Sequence, residues 1–358
     1  MNITMQLCAE QKSKPTDESK LGFGRIFTDH MFVLNHTQNR GWHDARIVPY
    51  APFALQPACS SLHYGQAIFE GLKAYSCAND SIQLFRARDN FVRMNQSAKR
   101  LCMPELNVDD CMEALEKLVE LERLWVPKQE GTSLYIRPTM IANDETLGVH
   151  AAHSYIFFII LSPAGPYYAE GLKPVKIFVE DEYVRAVRGG VGFAKTAGNY
   201  AASILASNEA QKKGYAQVLW LDGRERRYIE EVGAMNIMFV MDGKLVTPAL
   251  QGSILPGITR DSVLQLAREF GLGVEERPIA IEEIFKAQQE GRLQEVFGTG
   301  TAAVISAVSH LCWNGTEIQI ADGQMGPVAT RMYQTLTGIQ YGRVPDTMGW
   351  TTTITAKH

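Results

Sequence analysis

The sequence is poor in the features that mark metal, redox or membrane chemistry. Only six of its 358 residues are cysteine, and no two of them have CxxC spacing, so neither a zinc site nor a redox dithiol is predicted. The longest apolar run, Tyr155 to Leu161, is far too short to span a bilayer and predicts a buried strand. We therefore expect a chain that binds no metal and does not enter a membrane.

Signals for export and for binding to nucleic acid are missing as well. The N-terminus has no charged region followed by an apolar one, so no secretion signal is predicted. Basic residues form no block, and the formal net charge is only -4, which argues against a nucleic-acid partner. Together with the scattered cysteines, these absences predict a cytoplasmic, reducing location.

What the sequence does contain is the composition of an ordinary globular protein, with 46% hydrophobic and 21% charged residues. Its length indicates two domains. Residues 162–168 read Ser-Pro-Ala-Gly-Pro-Tyr-Tyr after a hydrophobic strand, which is the clearest break in the chain. We predict a small N-terminal α/β domain over 1–165, an interdomain linker over 166–181 and a large C-terminal domain over 182–358.

Local patterns predict several elements. Asp89 has the character of a helix N-cap before an apolar stripe, and Asp109 or Asp110 opens a second helix. Asp242-Gly243 and Asn314-Gly315 each stand between apolar segments, which predicts two β-hairpins. Residues 1 to about 20 are polar and predict a loose segment.

One lysine stands in an unusual setting. Residues 189–200 read Gly-Gly-Val-Gly-Phe-Ala-Lys-Thr-Ala-Gly-Asn-Tyr, so Lys195 is surrounded by small and apolar residues. An amine in such surroundings loses its proton more easily, and a neutral amine is a nucleophile able to form a Schiff base with an aldehyde. The competing interpretation is a lysine that extends from a loop to solvent, which is the common case.

Two further residues are candidates for supporting such chemistry. Tyr200 precedes a helix predicted over 201–213, where its phenol can bond to a ligand or simply pack on the core. Glu230 and Glu231 stand directly before an apolar strand, so one carboxylate is carried toward the interior. A carboxylate beside a pyridine nitrogen keeps that nitrogen protonated, and Glu231 is the candidate for this role. Glu230 is interpreted as a solvated residue at the strand edge.

Two turns and two arginines offer anion binding. Residues 252–261 contain Pro-Gly and lead into a helix, and residues 298–303 read Gly-Thr-Gly-Thr-Ala-Ala after a strand. Backbone amides in such turns bind phosphate, although plain tight turns have the same composition. Arg93 on a predicted helix and Arg137 on a predicted strand are candidate cations, and neither stands out from surface arginines by itself.

Taken in order, these segments resemble the branched-chain amino-acid aminotransferases, pyridoxal-phosphate enzymes of fold type IV. The resemblance covers nearly the whole chain from about Gly24. It is carried by seven segments in family order, namely residues 27–31, 62–71 (Leu-His-Tyr-Gly-Gln-Ala-Ile-Phe-Glu-Gly), 135–138 (Tyr-Ile-Arg-Pro), 189–200, 231–236 (Glu-Val-Gly-Ala-Met-Asn), 255–260 (Leu-Pro-Gly-Ile-Thr-Arg) and 298–302. It departs at Ala303 and Ser306, where larger members carry a CxxC pair, so a thiol switch is not expected there.

The resemblance implies a two-domain α/β fold with the cofactor at the domain interface, and a role for each matching residue. Lys195 corresponds to the Schiff-base lysine, Tyr200 to the tyrosine near the cofactor hydroxyl and Glu231 to the partner of the ring nitrogen. The implied phosphate site comprises Arg93, the backbone of Ile258 and Thr259, and Thr301. The implied substrate site comprises Tyr64, Phe69, Tyr135, Arg137, Thr301 and Ala302, with Leu147 and Val149 reaching into the partner subunit of a homodimer.

The implied reaction is reversible transfer of an amino group from L-leucine, L-isoleucine or L-valine to 2-oxoglutarate, with the Lys195 amine moving a proton at the substrate Cα. Two other members of the class are alternatives, a D-amino-acid aminotransferase and an aminodeoxychorismate lyase. A third alternative is a non-catalytic protein that binds a phosphate-bearing ligand. The sequence does not rank the three branched-chain substrates.

Overall fold

A computed structural model describes residues 1–165 and 173–355, and these contain seven α-helices and eighteen β-strands. The helices are α1 (Ser60–Tyr64), α2 (Ala87–Arg100), α3 (Val108–Leu121), α4 (Ala197–Lys212), α5 (Ile258–Glu269), α6 (Ile281–Gln289) and α7 (Pro327–Gln340). The strands are β1 (Thr4–Met5), β2 (His30–Thr37), β3 (Gly41–Pro49), β4 (Ala67–Phe69), β5 (Leu72–Ser76), β6 (Ile82–Phe85), β7 (Ser133–Ala142), β8 (Ser154–Ala164), β9 (Val175–Glu180), β10 (Gln217–Leu221), β11 (Ile229–Val232), β12 (Met235–Met241), β13 (Lys244–Thr247), β14 (Gly273–Glu276), β15 (Leu293–Gly300), β16 (Val304–Trp313), β17 (Thr316–Gln319) and β18 (Thr351–Ile354). None of the described helices is long and apolar enough to cross a membrane.

The chain forms two compact units. One comprises Met1–Ala169, Ala194–Ala197 and Gly338–His358, and the other comprises Glu170–Phe193 and Gly198–Thr337. Two short segments that the sequence placed in the predicted C-terminal domain, 182–358, therefore belong to the first unit. In the described part of the C-terminal segment, β18 extends the first sheet by pairing with β6, from Thr351 opposite Phe85 to Ile354 opposite Ile82.

The predicted linker over 166–181 differs from the structure in its second half. Residues 175–180 form β9, which is paired on both sides by β10 and β16. Val175, Ile177 and Val179 alternate along it, which is the period of a strand, and Ile177 and Val179 are buried in the second unit's core. Residues 166–172, the first part of the predicted linker, lie outside the described residues.

The first unit is a largely antiparallel sheet covered by helices. Its strand order is β1-β3-β2-β8-β7-β5-β6-β18, with β4 paired to β7, and among these described strands only β1 and β3 run parallel. The apolar stripes of α2 and α3, which include Phe91, Met94, Leu115 and Leu118, are buried in the same core as Phe157 of β8. The first unit is therefore a sheet of antiparallel character with α2 and α3 packed on it.

Both helices begin earlier than the acidic residues suggested. Helix α2 starts at Ala87, and Asp89 accepts a bond from the Arg86 Nε at 2.5 Å instead of capping the helix. Helix α3 is capped by Asn107, whose Oδ1 accepts from the Asp110 N–H at 3.0 Å. Acidic residues therefore occupy first turns, where the helix dipole favours them, and the caps lie upstream.

The second unit is a mixed sheet that closes on itself. Its order is β11-β10-β9-β16-β15-β12-β13-β14, and β11 also pairs with β12, so six strands form a closed ring. The predicted hairpins are confirmed, because β12 and β13 flank Asp242-Gly243 while β16 and β17 flank Asn314-Gly315. All four of these turn residues have positive φ, as a two-residue hairpin turn requires. The predicted α/β class is confirmed.

The N-terminal segment is anchored, contrary to the prediction of a loose end. Thr4 and Met5 pair with Arg46 and Ile47 of β3. Further along, the Lys12 N–H donates to Asp29 Oδ1 at 2.8 Å, and the Lys12 ammonium donates to the Thr28 carbonyl at 2.8 Å. A loose segment was predicted because residues 1–20 contain no apolar stripe. The segment is held instead by backbone pairing with β3 and by the hydrogen bonds of Lys12.

Candidate active site

Lys195 lies in the short segment Ala194–Ala197, which belongs to the first unit although the residues on either side of it belong to the second. The Phe69 N–H donates to the Lys195 carbonyl at 3.1 Å, and the Lys195 N–H donates to the Ser97 Oγ on α2 at 2.9 Å. Next to it, Thr196 forms an isolated bridge with Ile68, and its Oγ1 donates to the Ala67 carbonyl at 2.8 Å. The backbone that carries the amine is therefore fixed by β4 and α2.

The Phe69 ring is shared by Lys195 and Arg137. The Lys195 Nζ lies 5.0 Å from the ring centroid, and the Arg137 Cζ lies 4.8 Å from it. Arg137 also donates to the Tyr135 hydroxyl at 3.2 Å, yet within the described residues its Nε has no partner and no carboxylate pairs with it. A half-buried guanidinium in that state is suited to a carboxylate supplied by a ligand.

Gly71 makes room for the Tyr135 phenol. A Cβ at position 71 would lie 2.1 Å from the Tyr135 hydroxyl oxygen, so no side chain fits there without displacing it. The Tyr135 ring also contacts Phe23 edge-on, at 4.7 Å between centroids. The structure therefore brings together Lys195, Phe69, Tyr135 and Arg137, four of the residues singled out in the sequence.

Arg93 is held by a partner that the sequence reasoning missed. Its Nε and Nη2 donate to the two carboxylate oxygens of Glu70 at 2.8 and 2.7 Å, and both side chains are buried. This bidentate pair fixes the plane and the direction of the guanidinium group. The signal for Glu70 was its position, because an acid that directly follows an apolar strand is costly unless it is paired.

Tyr64 is tied to the predicted intersubunit loop. Its hydroxyl donates to the Leu147 carbonyl. The side chains of Leu147 and Val149 are 64% and 82% exposed, although both are apolar. Tyr64 and this loop therefore form a group of their own on the first unit, held together at the Leu147 carbonyl.

In the second unit, Glu231 is buried and doubly engaged. Its Oε1 accepts from the Leu255 N–H at 2.7 Å, and its Oε2 lies 3.2 Å from the Arg185 Nε. Arg185 is buried as well and donates to the Ser253 carbonyl. Arg185 balances the buried carboxylate, a role that sequence reasoning did not assign because Arg185 lies 46 positions before Glu231 with no pattern that links the two.

Glu230 is also buried, contrary to the expectation of a solvated strand edge. All four residues of β11 are buried, because this strand has neighbours on both sides in the closed ring. Burial raises the pKa of Glu230 to about 7, opposed in part by a hydrogen bond that the Ser253 hydroxyl donates to its Oε1. Its Oε2 has no partner among the described residues, and Glu230 lines a cavity of about 530 Å³ with Ile254 and Tyr228.

Asn236 lies on β12 and contacts residues of three other elements. In the sheet register it is paired with Glu231 of β11 on one side and with Thr299 of β15 on the other. Its Nδ2 donates to the Leu255 carbonyl at 2.9 Å, and a Cβ on Gly257 would lie 1.9 Å from its Oδ1. Gly257 has an ordinary φ of -69°, so it is small here for reasons of space.

The predicted phosphate-binding groups of the second unit lie at the start of α5 and just after the end of β15. Ile258 and Thr259 are the first residues of α5, whose amide groups point out of the helix N-terminus, and Thr301 and Ala302 form the turn after β15. Thr299, which precedes this turn in β15 and pairs with Asn236, has a buried Oγ1 with no hydrogen-bond partner in the described chain. Tyr200 lies in the first turn of α4, which begins at Ala197, earlier than predicted.

Residues 67–311 match the family described as amino-transferase class IV. The chain belongs to this family, and it is an enzyme of the transferase type. The branched-chain-amino-acid aminotransferase 2 of Bacillus subtilis (strain 168) is 54% identical over 354 residues, covering 99% of this chain and 97% of the relative. The predicted resemblance is thereby confirmed.

Solved structures agree with this assignment. The branched-chain amino acid aminotransferase of Escherichia coli is 31% identical and superposes with a TM-score of 0.76, covering 91% of this chain and 99% of that one. The enzyme from Thermobaculum terrenum, solved in its PLP form, is 25% identical with a TM-score of 0.74, covering 91% and 98%. Each superposition spans most of both chains, so the predicted fold type is confirmed.

Proposed function

We propose that this chain is a branched-chain-amino-acid aminotransferase that moves the amino group of L-leucine, L-isoleucine or L-valine to 2-oxoglutarate, reversibly, using pyridoxal 5'-phosphate. The observation that carries the proposal is the Lys195 amine over the Phe69 ring that Arg137 shares, on a backbone held by Phe69 and Ser97. The Bacillus subtilis relative, matched over nearly the whole length of both chains, supports the substrate class.

The residues present fit the cofactor. The buried hydroxyl of Thr299 lacks a partner among the described residues, and Thr299 pairs in register with Asn236, which contacts the residues that open α5. Unpartnered donors beside a helix N-terminus suit a phosphate dianion. Glu231 is buried, accepts a bond from the Leu255 N–H and faces Arg185, and a buried, oriented carboxylate suits a protonated ring nitrogen. Arg93, oriented by Glu70, supplies a fixed cation for the phosphate.

The cofactor, when bound, supplies an aldehyde that condenses with amines and a ring that accepts the electron pair released at the substrate Cα. Lys195 would hold it through its amine and, once displaced, would take the proton from the substrate Cα and deliver it to the cofactor carbon C4′. Glu231 would keep the ring nitrogen protonated, and Tyr200 would bond to the ring hydroxyl. Ile258, Thr259 and Thr301 complete the proposed phosphate site.

Arg137, with Tyr64 and the Thr301-Ala302 turn, would hold the substrate carboxylate. Phe69 and Tyr135 would form walls of the pocket for the aliphatic side chain, and their rings suit a branched apolar group. Because Leu147 and Val149 are exposed and apolar, we propose that their loop contacts a second copy in a homodimer. The six unpaired cysteines support a cytoplasmic location.

A substrate panel tests the assignment. Purified enzyme supplied with pyridoxal phosphate and 2-oxoglutarate is expected to form glutamate from L-leucine, L-isoleucine and L-valine, and not from D-alanine. Lys195→Ala should abolish turnover, whereas Lys212→Ala, which changes an exposed lysine on α4, should not. Turnover of D-alanine without L-leucine, release of pyruvate from aminodeoxychorismate, or retained activity in Lys195→Ala would refute the proposal.

A further inference from the structure

Three potential metal ligands lie together on the first unit, in the connection between β7 and β8. They are Asp144, His150 and His153, and one ligand atom from each lies within 4.8 Å of the others. We propose that this Asp144 cluster binds a divalent transition ion of the Zn²⁺ type. The sequence pattern did not predict it, because zinc signatures were sought among the cysteines, and these ligands follow no CxxC or HxxxH spacing.

The carboxylate of Asp144 is already oriented. Its Oδ1 accepts from the Ser154 N–H at 2.7 Å and from the Ser154 hydroxyl at 2.6 Å, and its Oδ2 accepts from the His153 N–H at 2.8 Å. Such bonds around a ligand carboxylate fix its direction and typically matter about tenfold or more for metal affinity. The cluster is therefore supported by a second layer of contacts before any ion arrives.

The contact that His150 makes favours Nε2 as its metal-binding nitrogen. Its Nδ1 lies 2.9 Å from the Ala151 carbonyl, and since a carbonyl only accepts, this nitrogen carries the proton. The Nε2 is then left with its lone pair for a metal, the arrangement usual for histidine ligands. This bond is independent of the proximity of the three groups and points to the same use.

His153 completes the set. Its Nδ1 is 3.5 Å from Asp144 Oδ2, and its ring lies 5.4 Å from that of His150 at an angle of 28°. Two imidazoles and one carboxylate suit Zn²⁺, Ni²⁺ or Co²⁺ and do not suit Mg²⁺ or Ca²⁺, which prefer oxygen alone. Three protein ligands in an open depression of about 840 Å³ leave further positions for water.

An ion held there would clamp the loop that carries Leu147 and Val149. Residues 144 and 150 flank this segment, and Tyr64 already holds its Leu147 carbonyl. By joining both ends of the loop, the metal would restrict its conformations and so alter the substrate KM. This consequence rests on the proposed function, whereas binding of the ion does not.

Zn²⁺ binding to the full chain, measured by isothermal titration at pH 7.5, tests the site. The measurements use a Cys102→Ser background, because Cys102 is an exposed thiol that competes for the ion. We expect one ion per chain, with Kd raised at least about tenfold in His150→Ala and in His153→Ala. His63→Ala, which removes a single exposed imidazole on α1, should leave Kd unchanged. Equal Kd in all four proteins, or no binding in any, would overturn the site.

The clamp is tested separately. The KM for L-leucine is measured in EDTA and again with saturating Zn²⁺, in the background protein and in His150→Ala/His153→Ala. We expect Zn²⁺ to change KM at least about threefold in the former only. Binding of Zn²⁺ with an unchanged KM overturns the clamp, and an absence of transamination in EDTA refutes the proposed function while leaving the binding result to stand.

Discussion

Glu230 makes the stability of the second unit depend on pH. Its carboxyl is buried on β11, and its pKa rises from an ordinary value of 4.5 to about 7. Between these values the folded chain holds a proton that the unfolded chain has released. The free energy of unfolding therefore falls as the pH rises through that window, and it is flat above it with respect to this group.

The size of the effect follows from the two pKa values. They lie about 2.5 apart, and one pH unit across such a window is worth about 1.36 kcal/mol, so wild type loses about 3 kcal/mol between pH 4.5 and pH 7 through this residue. Glu230→Gln keeps an acceptor for the Ser253 hydroxyl and directs an amide toward the cavity, without a charge. We expect the variant to be about 3 kcal/mol more stable than wild type at pH 8 and about equally stable at pH 4.5.

Urea unfolding followed by tryptophan fluorescence at pH 4.5, 6, 7 and 8 measures this difference. Other groups titrate over the same range, so the informative quantity is the difference between variant and wild type at each pH. Glu225→Gln, an exposed carboxylate in the same segment, serves as the control and should follow the wild-type curve. Parallel curves for Glu230→Gln and wild type would show that Glu230 is ionised at no cost and would refute the reasoning.

Two further predictions concern the buried acids. Glu231→Gln should lower kcat far more than it raises KM, because protonation of the ring nitrogen matters chiefly in the transition state. Steady-state kinetics with L-leucine checks this prediction. An unchanged kcat would count against the role of Glu231. Glu70→Gln should lower the free energy of unfolding by about 3 kcal/mol, because it leaves the buried Arg93 guanidinium without its ion pair. Urea titration checks the second prediction, with Glu130→Gln as the control. The pair of Glu130 with Arg343 is exposed and should contribute less than about 1 kcal/mol to the free energy of unfolding. Equal losses of unfolding free energy in both variants would contradict the importance of burial.

Sequence reasoning succeeded where the determinants are local. The hairpins at Asp242-Gly243 and Asn314-Gly315 were predictable because positive φ at both residues is a property of the dipeptide itself. The apolar stripes of α2 and α3 were predictable from their helical period, while their starts were missed by less than one turn because the real caps, Arg86 and Asn107, lie upstream.

Features that depend on distant pairing were not visible. Residues 194–197 belong to the first unit, where the Phe69 N–H donates to Lys195 and the Lys195 N–H donates to Ser97. Both partners are about a hundred residues away in the chain. The supporting partners Glu70 and Arg185 were missed for the same reason, since only the fold shows which charge each one meets. The candidate residues themselves came from the resemblance, and the geometry of each unit adds how they are held.

The contact between Gly257 and Asn236 links the identities of two positions that are remote in sequence. A glycine that serves a left-handed turn can give way to asparagine or aspartate, because those residues tolerate positive φ. The same replacements do not help at Gly257, because its φ of -69° is one that any residue adopts. The obstacle is the Asn236 side-chain oxygen, which lies 1.9 Å from where a Cβ would stand. In directed evolution of this enzyme, the two positions are therefore coupled: a side chain at residue 257 requires Asn236 to move or to be replaced by a smaller residue.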